Sequence, residues 1–402
     1  MARGLLRERD FRLLAGSVGV SALGDWLALT PLSLHLQETT GSGIAVAALF
    51  IGIWSPAILL AGVAGVLVDR FESRRLLAIV SLAQAAIAVA LAFTDATAPI
   101  LVLATLLGIG YALAQPAEFS LVPVVAGDGR LSEANGYVET ARYTGYILGP
   151  LLGGLLAAAG GMRPAMLVNA VTFLAVAGAA TLIRARREPR PSEHGERLRA
   201  RDGALHLFRD RVLGLVMIVA FTSLLFMTAS VAAEVFFAKD VLGAGDVGYG
   251  ALIASWTVGM ALGALVLARR FRASLAGGAL VAIVVQSIGL ALPTLWLVLA
   301  FALVSFTIGG LAHGLKNVLI RTLIHERVPE RLHGRAYAAY NGLRNGAELF
   351  AMACGGLLVV ALGARWTLFL AGAVPAVAGL VGLVAYARLK QRDLRAALQP
   401  AD

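Results

Sequence analysis

Between positions 44 and 68 the chain reads IAVAALFIGIWSPAILLAGVAGVLV, twenty-five residues without a charge. A helix of that length rises about 37 Å, and the hydrocarbon core of a bilayer is about 30 Å thick. Positions 166–183, MLVNAVTFLAVAGAATLI, repeat the pattern. Backbone groups in lipid must find partners inside their own segment, so such runs have few options besides helix. A soluble reading fails on supply. Only 14% of the 402 residues are charged and 59% are hydrophobic, whereas a soluble domain carries about 25% charge.

Hydropathy places twelve spans at 12–36, 43–67, 76–94, 98–123, 133–159, 164–184, 212–238, 246–268, 274–292, 295–321, 335–361 and 365–388. The fold class expected is an all-α membrane protein. The 45 glycines fit close helix contacts in lipid, and the single cysteine, Cys354, falls inside an apolar run. The start, MARGLLRERDFRLL, leads into a full-length span with no small-residue cleavage site, so no cleavable signal peptide is expected.

The formal net charge of +10 raises nucleic acid as a partner, but the charges lie in the connections between spans. With both termini on the cytoplasmic side, 28 Lys and Arg fall on inner segments and three, Arg163, Lys239 and Arg365, on outer ones. That bias is the mark of topology, and the same charges suit anionic lipid headgroups. Only one connection is long, the charged, proline-containing stretch around 185–211. It divides the chain into a first six-helix bundle (1–184), a linker (185–211), a second six-helix bundle (212–388) and a tail (389–402).

The halves repeat. A shift of 202 positions carries Trp54 onto Trp256, Arg142 onto Arg344 and GGLL at 153–156 onto GGLL at 355–358. Two parallel repeats of six spans, related by a pseudo-two-fold axis, make the layout of a transporter that works between two bundles.

Two motifs then carry a resemblance. GVLVDRFESRRLL at 65–77 resembles the loop after the second helix of the major facilitator superfamily, with Gly65, Asp69, Arg70, Arg74 and Arg75 matching its pattern, while Glu72 and Ser73 depart from it. The resemblance implies a cytoplasmic gate in which Asp69 faces the start of the eleventh helix, near 334–337. A carboxylate at a helix N-terminus is favoured by the helix dipole. The corresponding loop of the second half has Arg269 in place of the acid, so the latch is expected to be one-sided. GYILGPLLGG, with Gly145, Gly149, Pro150, Gly153 and Gly154, is similar to the fifth-helix motif of the antiporter branch. Glycines at this spacing make a flat packing face, and Pro150 lacks a backbone donor. The first span, and QPAEFSLVPVVAGDGRLSEANG at 115–136, resemble the subgroup of macrolide-efflux proteins and the enterobactin exporter.

Ionisable groups inside spans are expensive in lipid and stand as functional candidates. Asp25 lies midway along the first span, in SALGDWLAL. A carboxyl in such surroundings can take and release a proton, as a proton-coupled carrier needs. Glu139 and Arg142, three apart, share a helix face, as do Arg344 and Glu348, four apart. These pairs are expected to neutralise each other or to work near the inner mouth. The resemblance puts Glu118 and Lys316 on cavity-lining helices, where either can meet a charged substrate. Glu234 lies near an outer end, and His313 is expected to be a packing residue. The surplus of acids over bases suggests a cationic or neutral amphiphile.

No phosphate-binding Gly-Lys-Ser/Thr loop and no His/Cys metal cluster occurs, so neither an enzyme nor a cofactor is expected, and transport energy would come from an ion gradient. The expected function is proton-coupled export of a small amphiphile by a monomer in the inner (plasma) membrane. The alternatives are a lysophospholipid flippase, an importer of a small metabolite, or a transporter-like receptor.

Overall fold

A computed structural model describes residues 4–127, 129–186, 207–271, 274–329 and 332–398. All regular structure among them is helical. The helices are α1 (Arg9–Thr40), α2 (Gly43–Leu59), α3 (Ala61–Arg70), α4 (Ser73–Ala92), α5 (Thr97–Ala126), α6 (Leu131–Gly160), α7 (Met162–Leu182), α8 (Arg211–Phe236), α9 (Gly245–Leu262), α10 (Leu275–Leu295), α11 (Leu299–Arg327) and α12 (His333–Leu398). Polar side chains start several of them. Ser42 accepts from the Ala45 amide, and Asp210 accepts from the Leu213 amide at 2.7 Å, each satisfying one of the orphan donors of a first turn.

Ten of the described helices are long and apolar enough to cross a bilayer, or eleven if the bent pair α2 and α3 counts as one span. The longest of these apolar stretches, Ala339–Arg392, has 54 residues, far more than one crossing needs. It turns at Gly363, whose φ of 76° and ψ of 163° are not helical. The spans expected at 335–361 and 365–388 are its two sides, which brings the crossings to twelve. The expected single span at 43–67 is instead two helices bent by 55°. Pro56 sits four residues ahead of the break at Leu60 and removes one ladder donor. π-helical turns at Phe237–Val241 and Gly263–Leu267 follow α8 and α9.

Contacts divide the chain into two compact units, Met1–Gly195 with Gly243–Ala254, and Glu196–Leu242 with Ser255–Asp402. In the first, α1 packs on α6 and α7, α4 on α5 and α7, and α2 on α5. In the second, α8 packs on α12, and α10 on α11 and α12. Each unit has a core, and the two cores coincide at a shift of 202. Phe11, Leu14, Val18, Leu77 and Leu121 of the first correspond to Leu213, Val216, Ala220, Ala279 and Leu323 of the second, all buried.

Glycines set the closest approaches. A β-carbon at Gly153 would stand 2.8 Å from the Leu27 carbonyl oxygen, and one at Gly355 would stand 2.2 Å from that of Ala229. Both members of the second pair lie 202 positions beyond the first. The same helix contact is built twice, at the register read from the sequence.

Candidate functional site

In the first unit, α1, α5 and α6 converge on a partly buried polar cluster. Asp25 from α1, Tyr111 from α5 and Tyr146 from α6 line two small adjoining cavities. One, of about 60 Å³, is apolar and aromatic and includes Trp26, Leu29 and Trp54. Trp26 lies 6.3 Å from Trp54 and 5.9 Å from Tyr146, ring centre to ring centre. The other, of about 20 Å³, is polar and adds Gln84, Gln115, Glu118 and Arg142. Asp25 therefore faces an apolar pocket on one side and a charged one on the other.

The polar cavity is incompletely satisfied. Gln115 donates to the Tyr111 hydroxyl at 2.8 Å. Glu118 is 5% exposed, and its Oε1 has no hydrogen-bond partner. Arg142 is 8% exposed, with Nε and Nη2 likewise unpartnered. Its guanidinium lies over the Phe119 ring, 4.6 Å from the centroid. Glu139 and Arg142 form an ion pair at 3.8 Å, with the Arg142 side chain 9% and the Glu139 side chain 42% exposed. Two carboxyls, Asp25 and Glu118, share the cavity with one guanidinium.

The second unit holds a larger cavity of about 250 Å³. All but two of its lining residues stand 202 positions beyond lining residues of the polar cavity in the first unit. The charges differ. Met227 stands where the first unit has Asp25, Ile320 where it has Glu118, and Lys316 where it has Ala114. Arg344 corresponds to Arg142, and its Nε approaches Glu348 Oε1 at 3.2 Å. Lys316 is 3% exposed. His313, expected to be a packing residue, is also hydrogen-bonded. It sits in a network with Gln286 at 3.2 Å, Asn317 at 2.9 Å and Lys316 at 3.4 Å. Trp256, the counterpart of Trp54, lies against it at 5.7 Å. Glu234 belongs to the last turns of α8 and lines neither cavity.

The fifth-helix glycines are packing positions. β-carbons at Gly145 and Gly149 would meet the α1 backbone at 2.6 and 2.7 Å, and one at Gly154 would meet the Asp246 carbonyl at 2.6 Å. Pro150 is buried within α6, and its carbonyl would be 2.3 Å from a β-carbon at Gly250. Gly65 has open space around it. At the 65–77 motif, Glu72 holds two of the arginines. Arg74 pairs with it and also donates to the Ile183 carbonyl at the end of α7, where the helix dipole favours a cation. Arg75 pairs with it at 3.0 Å from an exposed position. Arg70 is exposed. The side chain of Asp69, and those of Gly334, Arg335 and Arg269, lie outside the described residues.

Residues 14–347 match the family model of the Major Facilitator Superfamily. The chain belongs to that family. It is a multi-pass membrane transporter with the secondary-transporter fold. Over 96% of its length, and 95% of the relative's, it is 24% identical to YfiS of Bacillus subtilis (strain 168), an uncharacterised MFS-type transporter. Among solved structures, it resembles the nucleoside transporter NupG with a TM-score of 0.74 at 13% identity, covering 96% of this chain and 99% of that one. The peptide transporter POT in complex with sulfate gives 0.72 at 14% identity, with 95% of each chain covered. A bacterial homolog of the human lysosomal transporter Spinster, inward-facing and unoccupied, gives 0.66 at 16%, covering 95% and 93%. At these identities the likeness is one of fold.

Several site residues were not singled out from the sequence: Ser21, Tyr111 and Gln115 in the first unit, and Gln286 and Asn317 in the second. A signal for them existed. The 202 shift aligns Ser21 with Ser223, Gln84 with Gln286, Tyr111 with His313 and Gln115 with Asn317, a run of polar pairs inside spans that should otherwise be apolar.

Proposed function

We propose that this transporter exports a small amphiphilic compound in exchange for protons, by alternating access. It would sit in the inner (plasma) membrane with both termini cytoplasmic, and work as a monomer. The observation that carries the reading is the charge count of the first unit's polar cavity. Asp25 and Glu118 face one guanidinium in a space of about 20 Å³. A carboxylate held away from water without its own counter-ion is penalised by several kcal/mol, on the order of the effective cost of a buried ion. A proton on one carboxyl removes that penalty, and opening to water lets it leave. Tyr111 and Tyr146 face the same space, and Arg142 is the only cation among its lining residues.

The aromatic pocket beside Asp25 suits the apolar part of a substrate, so loading it and releasing the proton would compete at one carboxyl. The likeness of the fifth-helix motif to the antiporter branch, and of the first and fourth spans to macrolide and siderophore exporters, supports the outward direction. Asp69 is proposed as the cytoplasmic latch, with Glu72 and Arg74 fixing the segment beside it. The test is accumulation of a fluorescent amphiphile in everted membrane vesicles. The account requires accumulation driven by an imposed proton gradient and abolished by an uncoupler. Accumulation indifferent to the uncoupler overturns it.

A further inference from the structure

The cavity of the second unit contains a cation that its neighbours do not satisfy, and the hydrogen-bond chain around it shows why. Gln286 is fully buried. Its Nε2 donates to Met227 Sδ at 3.2 Å and to Ser223 Oγ at 3.3 Å. A thioether sulfur only accepts, so the amide nitrogen faces Met227 and Oε1 faces His313. That oxygen lies 3.2 Å from His313 Nδ1, so Nδ1 must carry the hydrogen. The remaining ring nitrogen, Nε2, accepts from Asn317 at 2.9 Å, which makes His313 the neutral Nδ1–H tautomer. A protonated Nδ1 has no lone pair for the Lys316 ammonium 3.4 Å away.

Among the described residues no carboxylate is recorded within ion-pair distance of Lys316; Glu348, which faces the same cavity, is paired with Arg344. The other groups facing the cavity are the Tyr340 hydroxyl, Arg344 and Asn317. Arg344 and Glu348 pair with each other, and the Lys316 amine, 3% exposed, stands beside a space of about 250 Å³. That space is the volume share of roughly eight waters.

We infer that this cavity binds one anionic group of the transported amphiphile, a carboxylate or phosphate, with Lys316 as its counter-ion. The inference rests on the transporter reading but names a different feature of the substrate. It reverses the expectation, drawn from the summed charges, that the substrate is cationic or neutral. Of the acids counted there, Asp25, Glu118 and Glu139 lie in the first unit, Glu348 of the second is paired with Arg344, and Lys316 lies in the second.

Equilibrium binding tests this without any gradient, so its failure and a failure of proton coupling are distinguishable. The full-length protein in phosphatidylcholine nanodiscs is titrated with 4-tert-butylbenzoate, with its uncharged counterpart 4-tert-butylbenzamide, and with lysophosphatidylglycerol. Tryptophan fluorescence and thermal unfolding are followed. A hydrogen bond to a charged partner contributes about 1.5–3 kcal/mol, so Lys316→Met should weaken benzoate binding about ten- to hundredfold. Benzamide should bind weakly and indifferently to the substitution, and Lys316→Arg should keep benzoate binding. Lys316→Met without ligand should unfold at the same or a higher temperature than the parent, because it removes an unpaired buried charge. A Lys316-dependent response to lysophosphatidylglycerol alone supports the anion site and assigns it to a lipid phosphate. Equal binding of benzoate and benzamide, no binding of either anion, or benzoate binding unchanged in Lys316→Met overturns the inference.

Discussion

Replacing Gly355 by alanine should separate two helices that now touch backbone to backbone. The new β-carbon would stand 2.2 Å from the Ala229 carbonyl oxygen. Ordinary contact begins at 3.4 Å, a shortfall of about 1.2 Å, and a carbonyl inside a helix has no rotamer with which to move away. Overpacking of this kind costs about 1–3 kcal/mol. Against it stands the gain of about 1 kcal/mol from replacing a helical glycine by alanine. The net expectation for Gly355→Ala is a loss of up to about 2 kcal/mol. At the symmetry-related Gly153 the distance is 2.8 Å, a shortfall of about half as much, and the two terms should nearly cancel. Gly178 has nothing within 4 Å, so Gly178→Ala should show only the propensity gain. Thermal unfolding of the purified variants in one detergent, followed by tryptophan fluorescence, should rank Gly178→Ala above the parent, Gly153→Ala near it and Gly355→Ala below it. If Gly355→Ala unfolds at or above the temperature of Gly178→Ala, the reasoning that these glycines set the helix spacing is refuted.

Other consequences are more local. Glu72→Gln should cost about 1–3 kcal/mol, the range for a partly buried ion left unpaired, because Arg74 is 13% exposed and pairs with Glu72; unfolding temperature checks it, and no change means Arg74 is held by the Ile183 carbonyl alone. Asp210→Ala removes the cap of α8 and should cost about 1 kcal/mol, while Asp210→Asn should retain most of it, again by unfolding temperature. Glu118→Gln removes one of the two carboxyls facing Arg142, so it should leave the protein as stable as the parent and slow gradient-driven transport at least tenfold; normal transport would remove Glu118 from the coupling machinery.

How much of this was readable beforehand can be traced residue by residue. The spans were, because lipid imposes one hydrogen-bonding solution and therefore one length scale. The 202 register was too, because Trp54/Trp256 and Arg142/Arg344 are rare residue types in spans, and the paired Gly153 and Gly355 contacts sit at that register. Asp25, Glu118 and Arg142 stood out as charges in apolar runs, and they do share a cavity. The break at Leu60 was not legible, since proline is common in membrane helices and signals a bend without fixing its place. The unequal exposure of Glu139 and Arg142 was not legible either. Spacing of three puts two side chains on one face and the pair does form, but spacing does not report that Arg142 is 9% exposed and Glu139 42%. Glu72 read as a departure from a motif, and only the fold shows that it binds Arg74 and Arg75. The state of Lys316 depends on Met227 fixing the Gln286 amide across a helix contact, which no local pattern reports.

The central claim is that Asp25 exchanges protons for substrate. Its most direct test is proton movement in proteoliposomes loaded with a pH-sensitive dye, held under an imposed pH gradient while candidate amphiphiles are added singly. The account predicts that a transported compound triggers proton flux, that Asp25→Asn abolishes this flux, and that the variant still binds the compound. Substrate-triggered proton flux of normal size in Asp25→Asn would contradict it.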